Sequence, residues 1–269
     1  MGVENDRTYR KILTDHIRVC ADYMPKFGHR GHDGFTLEGF RAVYGKDPFY
    51  SWLGLDNPLM YAAHKAAGGM TSIYRQIGLG CEALFRRILQ DSFGLGHEAV
   101  RWSYDVPRAS GKSRTLHLDA CLRVSDVRDP AGKRRIRGWM KQAARQLGMD
   151  SGMARSLKGI VFEIRQGYKS KDSKRQNADI ANAAMAYTKG FLPCVGVLST
   201  QMDEDIADRY RSERWIILPG KTGEQTEHES FYAFVNGIVG YDLAAFFVRN
   251  SRYLRREVGR VLKALLRPE

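Results

Sequence analysis

Apolar residues recur at helical spacing over the stretch from Gly78 to Phe93. They follow one another three and four residues apart, which predicts an amphipathic helix. Glu82 borders the apolar face of this helix, where a charged group is costly unless another group pairs with it. It is therefore either a salt-bridged residue at the edge of the face or part of a functional site. The residues of the apolar face are Ile77, Cys81, Leu84, Phe85, Ile88 and Leu89.

The pattern then changes to one of alternate positions, which is typical of strands. It is visible around Ala99 to Asp105 and is clearer from Thr115 to Val124, where apolar and polar residues alternate. This second segment predicts a strand with one core face and with Asp119 on the other face. Lys158 to Ile164 is a short β-branched run, typical of a central strand, and it carries Glu163 near its carboxyl end.

The remaining pattern predicts a mixed α/β fold. Residues 1 to about 75 are expected to form helices joined by turns. Strands and helices alternate after the central strand, which is the order of an α/β sandwich. The expected elements are a helix from about Ser173 to Thr188, a strand from Leu192 to Ser199, a helix from Met202 to Arg211 and a strand from Trp215 to Leu218.

The charge balance points to a polyanionic partner. The chain has 43 Lys and Arg against 30 Asp and Glu, a net charge of +13, while its apolar fraction of 43% is ordinary for a globular protein. The segment from Lys133 to Arg145 contains basic residues and no acid, as an arm that contacts phosphates would. The C-terminal helix has a basic coat and an apolar seam of Leu254, Val258, Val261 and Leu265, expected to pack within the fold or at a dimer interface.

Cysteine and histidine spacing gives no metal site of the zinc or haem type. The four cysteines are scattered and are expected to be small core residues of a protein in a reducing cytoplasm. His29 and His32 lie in a glycine-containing loop, so a loop is favoured over a metal-bearing helix. The N-terminus lacks an apolar signal core, and the expectation is a soluble, cytoplasmic protein that does not contact a membrane.

Charged residues crowd the end of the predicted central strand. Glu163 and Arg165 are followed by a glycine turn and a run of cations, an arrangement that indicates binding of a charged ligand. A phosphate with a divalent cation is such a ligand. Asp119 and Glu163, from neighbouring strands, would supply the oxygen ligands that Mg²⁺ prefers, and a nearby cation would stabilise the charge that develops on attack.

This pattern resembles the PD-(D/E)xK nuclease superfamily, and most closely its type II restriction endonucleases. Asp119 in LHLDACL matches the first acid, Glu163 in FEIRQGYK the second, and Glu82 in GLGCEALF the helix glutamate that often joins the site. The resemblance covers residues 76–218. It implies a restriction-endonuclease-like mixed β-sheet core flanked by helices, with a Mg²⁺ site at Asp119, Glu163, Ile164 and Glu82.

The position of the family's motif lysine is occupied by Arg165. A guanidinium, with a pKa above about 12, cannot act as a general base, although it can stabilise the transition state. Lys169, reaching back across the glycine turn, is an equal candidate for the lysine's role, and Gln166 a weaker one. In a variant of the family the second acid lies on the following helix, which would place Asp179 in the site instead of Glu163.

The resemblance predicts a single nuclease domain over residues 1–269. It would comprise a helical region 1–75, a catalytic core 76–218 with a basic insertion 126–157, and a helical region 219–269. The expected activity is Mg²⁺-dependent cleavage of double-stranded DNA at a specific short sequence, by a homodimer, with a cognate DNA methyltransferase protecting the host. Alternatives are a repair or mobile-element nuclease with the same core, or a non-catalytic nucleic-acid-binding protein. The expected phosphate-contacting residues are Lys169, Lys171, Lys174, Arg175, Lys133, Arg134 and Arg135.

Overall fold

The chain packs as two compact units. A computed structural model describes residues 3–27, 33–107, 113–167 and 182–267. The first unit contains Met1–Asp6 and Cys81–Val248, and the second contains Arg7–Gly80 and Arg249–Glu269. The predicted N-terminal region therefore lies almost wholly in the second unit. The predicted catalytic core lies in the first, apart from residues 76–80.

The first unit alternates strands and helices in the predicted order, except that the predicted strand from Thr115 to Val124 is two strands and the basic insertion contains two helices. Residues 173–181 of the helix predicted from about Ser173 to Thr188 lie outside the described residues. Two longer helices, α4 and α10, span the positions at which the chain divides into units. Its elements are the end of α4 (Pro58–Phe93), β1 (Trp102–Pro107), β2 (Ser113–Leu118), β3 (Ala120–Arg123), α5 (Pro130–Gln146), α6 (Ser151–Ser156), β4 (Gly159–Arg165), α7 (182–188), β5 (Phe191–Val197), α8 (Glu204–Ser212), β6 (Ile216–Leu218), α9 (Phe231–Phe234) with a following π-helical turn (Val235–Val239), and the start of α10 (Leu243–Leu265).

The strands form an antiparallel pair and a mixed sheet. Strands β1 and β2 pair with each other, while the second sheet has the order β3-β4-β5-β6. Strand β3 runs antiparallel to β4, whereas β5 and β6 continue the sheet in parallel. Every residue of β4 and β5 is buried, which explains their continuous apolar runs, since parallel strands are covered on both faces. The mixed α/β class is confirmed.

The prediction of one alternating strand from Thr115 to Val124 is wrong. The segment breaks at Asp119 into β2, which pairs with β1, and β3, which pairs with β4. The bend shifts the alternation by one residue, so Leu118 and Cys121 contribute to the same apolar cluster. Cys121, expected on the polar face, is fully buried because both faces of β3 are covered.

Phe162 anchors the central strand on one face of the mixed sheet. Its ring packs edge-on against Phe85 of helix α4, with ring centroids 5.0 Å apart, and against Phe234 of helix α9 at 5.6 Å. On the other face, Val161 belongs to a cluster with Cys121 and Val195. The strand that carries Glu163 is therefore held from both sides.

The basic insertion folds into two helices rather than an extended arm. Asp129 caps α5 through hydrogen bonds from the backbone of Ala131 and Gly132. The apolar residues between its cations form a buried face, and Trp139 donates from Nε1 to the carbonyl of Glu227 at 2.8 Å. Because of this helical periodicity, most of the basic residues lie on the exposed face of α5. The buried residues of α5 are Gly132, Ile136, Trp139, Met140, Ala143 and Ala144.

The second unit is helical, as predicted for the N-terminal region. It contains α1 (Asp6–Arg18, from Arg7 on), a 3₁₀ turn (Val19–Asp22), α2 (Leu37–Tyr44), α3 (Pro48–Trp52), most of α4 and most of α10. Val261 and Leu265 of the predicted C-terminal seam are buried against Ile17, Cys20 and Ile73. The seam therefore packs within its own unit. The cations of its basic coat, including Arg252, Arg255 and Lys263, are exposed.

The four cysteines are free and buried, as expected of core residues. Burial raises the pKa of Cys81 to about 12, and the nearby charge of Glu82 adds to the increase. Burial likewise raises the pKa of Cys121 to about 12. Among the described residues no single helix is long and apolar enough to cross a membrane. Phe231–Val239 and Leu243–Leu265 reach that length and composition only together, across a bend of 117°.

Glu257 is expected to make stability depend on pH. Its side chain is buried in the second unit and accepts two hydrogen bonds from Arg18, at 3.0 and 2.7 Å, and one from Arg260 at 2.9 Å. The bonds from Arg18 are the main cause that lowers its pKa. The carboxylate therefore stabilises the fold above the unfolded pKa of about 4.3, and this contribution is lost as the pH falls through the lower folded value.

The substitution Glu257→Gln is expected to lower the free energy of unfolding at pH 7 by about 1–3 kcal/mol, since it weakens hydrogen bonds to a charged group. Urea unfolding at pH 7 and at pH 3 measures the change. The difference from the wild type should shrink at the lower pH. Glu224→Gln, at an exposed position, is the matched control and should change little. An equal loss at both pH values would contradict the role given to the carboxylate.

Candidate functional site

Asp119 and Glu163 lie at the same end of two neighbouring chain segments. Ala120 pairs with Phe162 at the end of the antiparallel register of β3 and β4, and Asp119 and Glu163 are the residues next to that pair. Asp119 Oδ2 also accepts the backbone N–H of Ile164 at 2.8 Å. The two predicted acids are thus brought together.

Arg165 connects the two acids. Its Nη2 pairs with Glu163 Oε1, and its Nη1 lies 3.6 Å from Asp119 Oδ2. Glu163 is only 5% exposed and Arg165 only 7%. Charges this far from water are tolerated only when they are paired, because removing each ion from water costs several kcal/mol. The guanidinium and the two carboxylates therefore form one buried charge cluster.

The alternation of β4 explains why these charges meet. Side chains two residues apart share a face of a strand, so Glu163 and Arg165 follow Val161 along the same face. Val195 and Val197 stand opposite Glu163 and Arg165 on the parallel neighbour β5. Apolar neighbours offer no hydrogen bonds to a charge, so each carboxylate needs a polar partner, and Arg165 supplies one to both.

Arg86 supports the segment that carries Asp119, and the sequence analysis did not identify it. From helix α4 its Nη1 donates to the carbonyl of Asp119 at 2.7 Å. Glu82 lies four residues earlier, on the same side of the helix, and is half-buried. The helix face that contacts the Asp119 segment is therefore the one that carries Glu82. The four-residue spacing from Glu82 was the signal in the sequence that points to Arg86.

A second buried polar contact lies on the apolar cluster of the same unit. Tyr104 of β1 donates from its hydroxyl to Asn182 Oδ1 of α7 at 2.7 Å, and both residues are buried. Neither residue stood out in the sequence, since a lone tyrosine and a lone asparagine carry no recognisable spacing. The bond ties the β1–β2 pair to the helix that follows the central strand.

Several predicted site residues lie outside the part of the chain that the structure describes. Among the expected phosphate-contacting residues that it does describe, Arg134 and Arg135 are exposed on α5 and Lys133 is half-buried. Gln166 is half-buried, directly after β4. The residues outside the described ranges are Lys169, Lys171, Lys174, Arg175 and Asp179, together with His29 and His32.

The donor set suits Mg²⁺ in its chemistry. This ion is commonly held by one or two carboxylates, with water and phosphate oxygens completing its shell, and Asp119 and Glu163 are two carboxylates that meet at Arg165. Within residues 3–27, 33–107, 113–167 and 182–267, no three His, Cys, Asp or Glu residues gather as a metal-binding group. Ile164 contributes its backbone N–H to Asp119, while its carbonyl lies 3.5 Å from Arg165 Nη1.

Comparison of the chain with models of protein families, with curated proteins and with solved structures gives no match.

Proposed function

We propose that the protein is a Mg²⁺-dependent endonuclease that cuts double-stranded DNA at a specific short sequence, as type II restriction endonucleases do. The observation that supports this proposal is the convergence of Asp119, next to the start of β3, and Glu163 of β4 on the guanidinium of Arg165. The helix with Glu82, the turn with Asp119 and the strand with Glu163 follow in the order that the sequence resemblance expects.

Each residue of the site would have a separate role in phosphodiester hydrolysis. Bound Mg²⁺ would supply Lewis-acid polarisation of the phosphate and a lowered pKa for a water ligand. Asp119 and Glu163 would hold the ion, and the hydrogen bond from Ile164 orients the Asp119 carboxylate. Arg165 keeps its proton throughout, so its role is to orient both carboxylates and to stabilise negative charge on the phosphate during attack.

The surface of the described chain suits a polyanion. The net charge is +13, and Arg134 and Arg135 are exposed on α5. Such cations would contact backbone phosphates and position the DNA without reading its sequence. We further propose that the enzyme acts as a homodimer in the cytoplasm, each site cutting one strand, and that a methyltransferase modifies the same DNA sequence.

A second candidate function is non-catalytic binding of nucleic acid. Arg165 favours this alternative, because its guanidinium already forms ion pairs with both carboxylates in the described structure. Under this alternative the cluster would be a structural ion network, and metal would be irrelevant to the protein's action. A repair or mobile-element nuclease of the same core would share the metal site and would differ in cutting without sequence specificity.

The full chain is expected to cut a long unmethylated DNA of known sequence into discrete fragments with Mg²⁺ or Mn²⁺. Chelator should abolish cutting, and Ca²⁺ should permit binding without cutting, because the larger ion relaxes the octahedral geometry. Gel analysis of the products separates the candidates. A metal-dependent smear would favour the repair-type nuclease, and DNA that is bound but intact in every metal would favour the non-catalytic protein.

The substitution Arg165→Lys adds a check that keeps the positive charge. A nuclease site should keep cutting with this variant, since lysine is the residue of the family motif at this position. If the cluster is only a structural ion network, the variant should not cut DNA, and neither should the wild type.

A further inference from the structure

A basic pocket lies between helices α5 and α6 of the first unit. Its volume is about 440 Å³, within the range of small-ligand sites. Arg137, Lys141 and Arg145 follow at four-residue spacing along one side of α5, and Arg155 joins them from α6. Among the described residues that line this pocket, none is acidic. The pocket therefore gathers positive charge from two helices.

The three cations of α5 that line the pocket, Arg137, Lys141 and Arg145, form no ion pair with any other residue in the described part of the chain. Like charges four residues apart destabilise a helix. Asp150, beside Arg155, is engaged in capping α6 through the backbone N–H groups of Gly152 and Met153, which lower its pKa. The arrangement thus carries an electrostatic cost that a bound anion would relieve.

Apart from Ser151, the rest of the lining is apolar. Met140 and Met149 are buried and contribute to the wall, together with Leu157. Methionine sulfur makes favourable contacts with aromatic rings and adapts to flat ligands. Arginine and lysine bind phosphate oxygens with charge-assisted hydrogen bonds. The two kinds of lining suit a ligand with a phosphate group and a flat aromatic part.

The pocket is separate from the Asp119–Glu163–Arg165 cluster. Leu157 lies two residues before the start of β4, whereas Glu163 lies near the other end of that strand. Six residues of extended chain cover roughly 20 Å. A ligand in the pocket therefore cannot be the phosphate that is cut at the cluster.

We propose that this pocket binds a nucleotide unit, with its phosphate on Arg137, Lys141 and Arg145 and its base against the methionines. The nucleotide could be a free mononucleotide or one unit of a nucleic-acid chain, and both present the same chemistry. The inference goes beyond the proposed nuclease activity and does not depend on it, because binding can be measured with the metal removed.

The test measures binding by the full chain in chelator, using calorimetry with inorganic phosphate and deoxyadenosine monophosphate, and fluorescence anisotropy with a labelled DNA duplex. The double variant Lys141→Gln/Arg145→Gln is expected to weaken binding of the nucleotide or the duplex about tenfold or more, as loss of two charge-assisted contacts would. Arg41→Gln/Lys46→Gln removes the same charge from exposed sites in the second unit and should leave affinity within about twofold.

Ala154→Trp separates the pocket from general charge effects. Ala154 lines the pocket, so the indole should fill it and weaken binding while all four cations remain. Circular dichroism and thermal unfolding would confirm that each variant is folded. Binding of the mononucleotide tighter than that of phosphate would identify a free nucleotide, and pocket-dependent binding of the duplex alone would identify a nucleic-acid chain.

The proposal is overturned if neither deoxyadenosine monophosphate nor the duplex binds, or if the Lys141→Gln/Arg145→Gln variant loses no more affinity than the Arg41→Gln/Lys46→Gln control. Unchanged binding by folded Ala154→Trp would also overturn it. Failure of the nuclease proposal would instead show as absent cutting with Mg²⁺, which these measurements in chelator do not address.

Discussion

The substitution Glu163→Gln is expected to lower the rate of Mg²⁺-dependent DNA cleavage by about 1,000-fold or more, the range for loss of a group that acts in the chemical step. The amide keeps the shape of the side chain but removes the negative charge that would hold the ion and that now pairs with Arg165. Binding of DNA in Ca²⁺ should stay within about threefold of the wild type, since backbone contacts come from cations elsewhere.

Stability must be measured beside activity for this variant. Removing one partner of a buried ion pair leaves the other uncompensated and can cost about 3–5 kcal/mol, although Asp119 would still offset part of the charge of Arg165. Thermal unfolding of Glu163→Gln shows whether lost cutting reflects lost folding. The conservative variant Asp119→Asn tests the opposite carboxylate in the same way and should also abolish cutting.

A comparison of two variants separates the catalytic interpretation from the structural one. The double variant Glu163→Gln/Arg165→Gln removes the pair together and should be more stable than Glu163→Gln alone, because no unpaired buried cation remains. If the double variant or Glu163→Gln, once folded, cuts DNA at the wild-type rate, the site at Asp119 and Glu163 is not the catalytic one. Cutting that is lost in both folded variants supports the nuclease proposal.

The substitution Phe162→Ala is expected to lower the free energy of unfolding by about 3–5 kcal/mol, because it leaves a cavity between β4 and the helices that cover it. Phe162 is fully buried and packs on Phe85 and Phe234. Neighbouring Glu163 belongs to the same strand, so a loosened strand should also lower DNA cleavage before the protein unfolds. Urea denaturation measures the first effect and the gel assay the second.

Phe49→Ala is the matched control for this prediction. Phe49 is 61% exposed on α3 of the second unit, so its truncation should change stability by less than about 0.5 kcal/mol. A loss below about 1 kcal/mol for Phe162→Ala would contradict the tight packing of this face. If Phe49→Ala lowered the free energy of unfolding as much as Phe162→Ala, the effect would come from removing any aromatic ring and not from burial in the core.

The elements with strong patterns were predictable because local spacing decides them. The continuous apolar run before Glu163 identified a central strand, and that strand is buried along its whole length. The helical spacing through Phe85 identified the end of α4, although that helix starts at Pro58, far before the predicted start. Residues 1 to about 75 were expected to form helices joined by turns, so the helical character of this stretch was predicted, but not its continuity with the later helix.

Other features depend on partners that are distant in the chain. The bend at Asp119 exists because β2 and β3 pair with different strands, so alternation in the sequence could not reveal it. The apolar residues that make α5 an amphipathic helix lie between its cations. Composition alone therefore predicted a basic arm for this segment. Arg86 reaches the Asp119 carbonyl across 33 residues; its spacing from Glu82 indicates the helix face it lies on, but not this contact.

The sequence by itself determined the class of fold and the net charge, and it selected Asp119 and Glu163 as candidate site residues, since periodicity, net charge and residue type are local or additive properties. Only the tertiary structure decided that Asp119 and Glu163 lie close together and that Arg165 binds both. The register between β3 and β4 and the burial that forces charges to pair arise from long-range packing. No spacing along the chain encodes that packing directly.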